Sequence, residues 1–269
     1  MKNHIVFLFA LAVFAGVVFG CGIFSEKYEK SETEELSISA SGRKSLNLEN
    51  VDGRIELNQS SDSGIVRIIA RKEITVPKKD LDKPFDEIKL RIDSSGSEIR
   101  IDSEIRAKNR VRFFSFGSLK SPRVDYEIFV PPGFQIVLSN VNGDVTSGRL
   151  ASDVKIELVN GDVNIDNYTG LFESEVTNGE VSVEVDSTTG IDIETVNGSV
   201  DLAFAENVSG NLKVETTNGK IFDENMSLSN VKREKKYLKA EFGNAPGPSI
   251  SVSTVNGRIT LKGKGKNWQ

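Results

Sequence analysis

From Leu36 onward the chain alternates apolar and polar residues with a period of two, the pattern of strands that bury one face. Ile88-Lys89-Leu90-Arg91-Ile92-Asp93 and Ile99-Arg100-Ile101-Asp102 flank Ser94-Ser95-Gly96-Ser97, which predicts a hairpin. Val124 to Val130 alternates again and stops at Pro131-Pro132, because proline cannot donate to a sheet ladder. The expected fold class is all-β.

One phrase then recurs. Asn142-Gly143, Asn160-Gly161, Asn178-Gly179, Asn197-Gly198, Asn218-Gly219 and Asn256-Gly257 each sit between two short alternating segments. Asp52-Gly53, between Leu46-Asn47-Leu48 and Ile55-Glu56-Leu57, is a weaker version. Successive glycines of the six copies are 18, 18, 19, 21 and 38 residues apart, the last step being close to two units. A second turn carries its own glycine at Gly170, Gly190 and Gly210. A fixed period of this length predicts a β-solenoid, each unit forming one coil with valine and isoleucine inward. Asn-Gly between strands is also the strongest short hairpin signal, so an antiparallel β-meander of Asn-Gly hairpins is the alternative. The phrase stays constant while the second turn varies, which favours the solenoid. Asn and Gly are then corner residues, and stacked Asn side chains can bond neighbouring coils.

Alternation places Glu157, Glu175, Glu194 and Glu215, followed by Ser253, on the face opposite the apolar positions. In a parallel stack they form a column with steps of about 4.8 Å. Such a column is either an ordinary solvated strand face, the favoured reading, or a site for a cationic partner or Ca²⁺. The glycine-rich Ca²⁺ repeats of β-rolls are absent, and no cofactor is expected. Two residues after each Asn a second column runs Asp144, Asp162, Glu180, Ser199, Lys220, Arg258, from acidic to basic.

The N-terminus changes the picture of where such a solenoid sits. Lys2 precedes an uncharged apolar run over residues 5–18, and Val18-Phe19-Gly20-Cys21 resembles a bacterial lipobox. That resemblance implies a signal peptide over residues 1–20 and acylation of Cys21. It implies an exported, membrane-anchored lipoprotein, facing the periplasm or on the outer membrane if the source is Gram-negative. Cys21 would then be followed by a charged tether up to residue 35, with a reach of roughly 45 Å. The remaining divisions are an N-terminal β region at 36–134 and the repeat solenoid at 135–261. An irregular basic insertion at 225–248 and a basic tail at 262–269 complete the chain. Arg106, Lys108, Arg110 and Arg112, with Phe113, Phe114 and Phe116, read as an edge strand folding back onto the core rather than as a contact for a membrane, glycan or nucleic acid.

Composition narrows the chemistry. The only histidine is His4 and the only cysteine is Cys21. Past Cys21 there is neither imidazole nor thiol, which excludes Ser-His-Asp and Cys-His catalysis, Cys/His zinc sites and disulfides. A formal charge of −5 over 269 residues gives no reason to expect a nucleic-acid partner.

The Val-Asp-Tyr-Glu-Ile-Phe-Val-Pro strand (124–131) followed by Val-Asn-Gly-Asp-Val repeats resembles a bacterial family of "putative-adhesin" domains of unknown function. The resemblance covers about residues 36–261. It implies a right-handed β-helix-like fold and export or membrane anchoring, and it carries over no catalytic residue. The expectation is therefore a non-catalytic, adhesin-like binding or scaffold module that contacts a surface glycan or an envelope protein. The alternatives are a polysaccharide-acting β-helix enzyme working through carboxylates, and an accessory in envelope-stress sensing.

Overall fold

The structure is a computed structural model that describes residues 9–10, 27–85, 88–105, 122–244 and 247–264. The proposed signal peptide, Cys21 and the basic-aromatic segment at 106–120 lie outside the described residues, apart from positions 9–10. Among the described residues, one continuous sheet of 21 strands wraps around a single apolar interior, giving an all-β, solenoid-like architecture.

Asn-Gly is a corner and not a hairpin. Gln135–Asn142 and Val145–Ser147, on either side of Asn142-Gly143, do not pair with each other. The first pairs in parallel with Asp153–Asn160 and the second with residues 163–165, both in the next coil. The same register repeats across Val163–Asn178 and Val181–Asn197, each of which runs through two sides of a coil. The meander alternative fails because the strands on either side of an Asn-Gly corner find their partners in neighbouring coils and not in each other. Two walls result. The Asn-side wall is built from the segments that lead into each corner, and the opposite wall from those that leave it.

Coil order departs from chain order at both ends. The final coil, Ser249–Asn256 with Ile259–Gly263, lies between coils that precede it in the chain. On the Asn side it pairs with residues 191–197 and with Gly210–Thr216. On the opposite wall it pairs with Val200–Phe204 and Ile221–Glu224. The cause is the intervening hairpin of Leu228–Glu234 and Tyr237–Phe242. Tyr237–Phe242 takes the outer edge of Gly210–Thr216 antiparallel, so the returning chain can join only the inner edge. The stretch expected as an irregular basic insertion is thus a cap on the sheet edge, which would otherwise expose unpaired backbone groups. Its core contribution is Leu238, Ala240 and Phe242, with the Phe242 ring 4.9 Å from that of Phe204.

The N-terminal end uses the same arrangement. Ser45–Asp52 and Ile55–Gln59 form the second coil in space. Glu98–Ile105 and Arg123–Val130 form the outermost one. Residues 36–134 therefore continue the same sheet, contributing two coils together with antiparallel strands at its edge. Ile88–Asp93 pairs antiparallel with Glu98–Ile105, as a hairpin, and caps the Asn-side wall.

The charged tether also needs correction. From Lys27 it is a strand, Lys27–Ser39, paired antiparallel with Ile65–Pro77 over its whole length. Its alternation is disguised because the inward positions carry Lys30, Glu32 and Glu34 before Leu36 and Ile38. Lys72 on the partner strand is 4% exposed and bonds Glu32 at 2.9 Å and Glu34 at 3.1 Å. Burial alone would lower the Lys72 pKa, but the two carboxylates outweigh it and raise it. Ionic pairing here replaces the apolar inward face that sequence patterns detect.

Candidate functional site: the outer face of the Asn-side wall

The corners are held by three kinds of stacking, and these account for the repeated phrase. Each corner Asn donates its side-chain amide to the Asn of the neighbouring coil. The ladder runs Asn218 to Asn256, Asn197, Asn178, Asn160 and Asn142, with N···O distances of 2.8–3.0 Å. It ends on the Asp52 carboxylate, 2.8 Å from Asn142. The Asp52 carboxylate accepts at this last step, where no further donor is required of the ladder.

The glycines stack backbone against backbone. A Cβ on Gly143 would stand 2.2 Å from the carbonyl oxygen of Gly53, and one on Gly161 2.5 Å from that of Gly143. For Gly179, Gly198, Gly257 and Gly219 the corresponding carbonyl lies within 1.8 Å of the added atom.

The acidic residue after the glycine also serves stacking. Asp144 accepts the backbone N–H of Asp162 at 3.0 Å, and Asp162 accepts that of Glu180 at 2.7 Å. The change from acidic to basic along this column survives in space, in the order Asp144, Asp162, Glu180, Ser199, Arg258, Lys220. Glu180 is held above the usual carboxylate range, first by its contact with Asp201, then by burial and by Asp162, against the opposing Arg258.

The inward side of the corner is closed as well. Thr195 and Thr254 both donate to the Gly198 carbonyl, at 3.1 and 3.0 Å, and the Asn140 amide bonds the Gly53 and Gly143 carbonyls.

Among the described residues, nothing covers the outer face of the Asn-side wall. Cross-strand register orders its acidic row as Asp102, Glu49, Ser139, Glu157, Glu175, Glu194, Ser253, Glu215. Glu157, Glu175 and Glu194 are therefore consecutive. Glu215 is not next to Glu194, because the final coil inserts Ser253 between them. Lys155 bonds Glu157 at 2.9 Å and lies 3.9 Å from Glu175. That contact lowers the Glu157 pKa and raises that of Lys155. Glu49, Glu194 and Glu215 make no side-chain hydrogen bond or ion pair among the described residues. Also among the described residues, no group of three or more His, Cys, Asp or Glu side chains is placed to hold a metal ion.

A second row lies two residues further along each strand. Val51, Val141, Val159, Val196 and Val255 are each 38–44% exposed, with Thr177 completing the row in register. These valines are the first letter of the repeated phrase. Alternation alone places them on the same face as the glutamates, so extending the parity of Glu157 by two residues finds Val159. The acidic and valine rows together line a shallow groove of about 860 Å³. A smaller depression of about 700 Å³ at the C-terminal end is basic, lined by Lys220, Lys236, Arg258 and the exposed ring of Phe222.

These features define an all-β, solenoid-like repeat protein whose corners are structural and whose ordered outer face is left uncovered by the described residues. The chain belongs to the Toastrack DUF4097 family, whose model matches residues 27–262. It is similar in fold to a putative cell adhesion protein from Clostridium sporogenes, at 12% identity and a TM-score of 0.48, covering 87% of this chain and 100% of that one. A putative adhesin from Bacteroides fragilis matches at 12% identity and 0.25, covering 86% and 97%. A putative lipid binding protein from Parabacteroides distasonis matches at 13% and 0.32, covering 87% and 97%. No curated protein matches this chain.

Proposed function

We propose that this chain is a membrane-anchored lipoprotein of the cell envelope, and that its solenoid is a non-catalytic binding or scaffold module. The observation that carries this reading is the division between faces. Interior side chains pack and corner side chains bond the next coil, whereas the Asn-side outer face presents two ordered rows to solvent. Exposed apolar residues in a continuous row are characteristic of contact surfaces. The lipobox ending at Cys21 supports the anchor. A surface glycan or another envelope protein is the partner class that such a position offers.

The test expresses the full chain in a bacterial host fed an alkyne-tagged fatty acid. The parent is expected to carry the label and to sediment with membranes, and Cys21→Ser to lose both. Capture from intact envelopes is expected to retain a specific protein or glycan. An unlabelled parent, or release of reducing ends from envelope polysaccharides that Glu157→Gln abolishes, would overturn the proposal.

A further inference from the structure

The six Asn-Gly corners share one sequence but not one set of hydrogen bonds. We infer that Asn218-Gly219 is a modification site, at which the asparagine deamidates spontaneously to aspartate and isoaspartate, and that the Asn ladder suppresses the same reaction at the other corners. The inference is independent of the envelope reading above.

Asn-Gly is open to this chemistry because glycine puts no side chain in the way of its own nitrogen. The Gly219 nitrogen loses its proton to hydroxide and attacks the Asn218 Cγ. A C–N bond forms, the Cγ–Nδ2 bond breaks and ammonia leaves, which closes a succinimide ring. Water then opens the ring at either carbonyl. The net change is amide plus water to carboxylic acid plus ammonia. The attack needs a side-chain amide free to rotate and a backbone N–H free to ionise.

A corner inside the ladder supplies neither. Asn160 donates to Asn142 at 2.8 Å and accepts from Asn178 at 2.9 Å, while the Gly161 N–H donates to the Asn178 carbonyl at 3.0 Å. Asn142, Asn178 and Asn197 are held by the same three kinds of bond. The ladder weakens at its head. Asn256 keeps both side-chain bonds, to Asn197 and from Asn218, but among the described residues the Gly257 N–H has no acceptor. Asn218 keeps only its donation to Asn256, at 3.0 Å. Among the described residues nothing donates to its Oδ1, and the Gly219 N–H has no acceptor. All six asparagines are exposed, so access to water does not distinguish them. Charge adds to the difference. Lys220, Lys236 and Arg258 line the same depression as Asn218 and Gly219, and cations there favour the ionised amide.

The product cannot rejoin the ladder. A carboxylate has no proton to donate to Asn256. Isoaspartate also lengthens the main chain where Gly219 packs on the Gly257 carbonyl.

The test incubates the folded full chain at neutral and at mildly alkaline pH in water enriched in heavy oxygen. Mass spectrometry follows each Asn-Gly peptide, and an isoaspartyl methyltransferase reports the isomer. Asn218 is expected to convert at least about tenfold faster than Asn142, Asn160, Asn178 or Asn197, since two fewer hydrogen bonds must open, with Asn256 between. The rate is expected to rise with pH, and the product to be a mixture of both isomers carrying solvent oxygen. In urea the six rates are expected to converge. Asn178→Ala removes the donor to Asn160 and the acceptor of Asn197, and is expected to speed conversion at both by about two- to tenfold. Equal rates at Asn218 and Asn160 in the folded chain, or a spread among the corners that persists unchanged in urea, would overturn the inference. Unchanged rates at Asn160 and Asn197 in Asn178→Ala would overturn the protective role of the ladder.

Discussion

Gly143→Ala is expected to lower Tm by about 6–12 °C, whereas Gly148→Ala in the same coil changes it by under about 2 °C. Two costs coincide at Gly143. Its φ of +128° is a conformation that L-residues rarely adopt, and the added methyl would stand 2.2 Å from the Gly53 carbonyl oxygen and 2.6 Å from its carbon. The opposing atoms are backbone held by the ladder itself: the Gly53 N–H donates to Asn142 and the Gly143 N–H to Asn160, both at 2.9 Å. Relief therefore requires neighbouring coils to separate. Backbone strain of this type costs about 1–3 kcal/mol, and the clash raises the total to roughly 3 kcal/mol. For a domain of this size each kcal/mol moves Tm by about 2–4 °C. A Cβ on Gly148 meets nothing within 4 Å. Thermal melts of the two variants by circular dichroism make the comparison. A Gly143→Ala Tm within 2 °C of the parent would show that the corner tolerates a side chain.

The second large effect concerns the end of the chain. Removing residues 245–269 is expected to unravel the structure back to about residue 204, not to trim one terminal coil. The deleted coil buries Ile250, Val252, Ile259 and Leu261 at 0–1% exposure, between neighbours on both sides. At about 1.5–3 kcal/mol for each buried aliphatic side chain, its removal costs roughly 6–12 kcal/mol, comparable to the entire stability of a domain. It also strips Gly210–Thr216 and Ile221–Glu224 of their parallel partners and leaves that end of the chain joined to the rest through residues 205–209 and the Phe204–Phe242 ring contact. Limited proteolysis with mass spectrometry reads the outcome. Rapid cleavage throughout 205–244 is expected. Protection of that stretch in the truncated chain would mean that residues 210–242 stack directly on the coil before them.

What the sequence made legible follows from in-register stacking. Because each coil copies the residue types of its neighbour, corner positions recur as Asn-Gly and interior positions as Val, Ile and Leu. Parity then places Glu157, Glu175 and Glu194 on one outer face, and it places the valines there too. Coil order was not legible for the complementary reason. Val255-Asn256-Gly257 is the same phrase as Val196-Asn197-Gly198, so nothing local distinguishes a terminal coil from an inserted one. Only the 38-residue step marks the place, and the hairpin that fills it has a register shift between Ser229 and Lys232 that breaks its alternation. Lys27–Ser39 was hidden by chemistry and not by distance. Its inward positions are charged, and the lysine that neutralises them is Lys72, 40 residues from Glu32.

The central claim is that the final coil lies between the Asn197 and Asn218 coils, since this sets both the cap and the order of the rows on the outer face. Paired cysteines on the outer face test it most directly, in a Cys21→Ser background. Glu194 and Ser253 are direct cross-strand partners, and Glu215 is the next position beyond Ser253. Adjacent strands bring Cα atoms to about 4.8 Å, within the 4.4–6.8 Å range of disulfides, whereas two strands of separation gives about 9.6 Å. Under mild oxidation Glu194→Cys/Ser253→Cys is predicted to form an intramolecular disulfide in the folded protein, and Glu194→Cys/Glu215→Cys to retain free thiols. A disulfide in the second pair and none in the first would contradict the inserted coil.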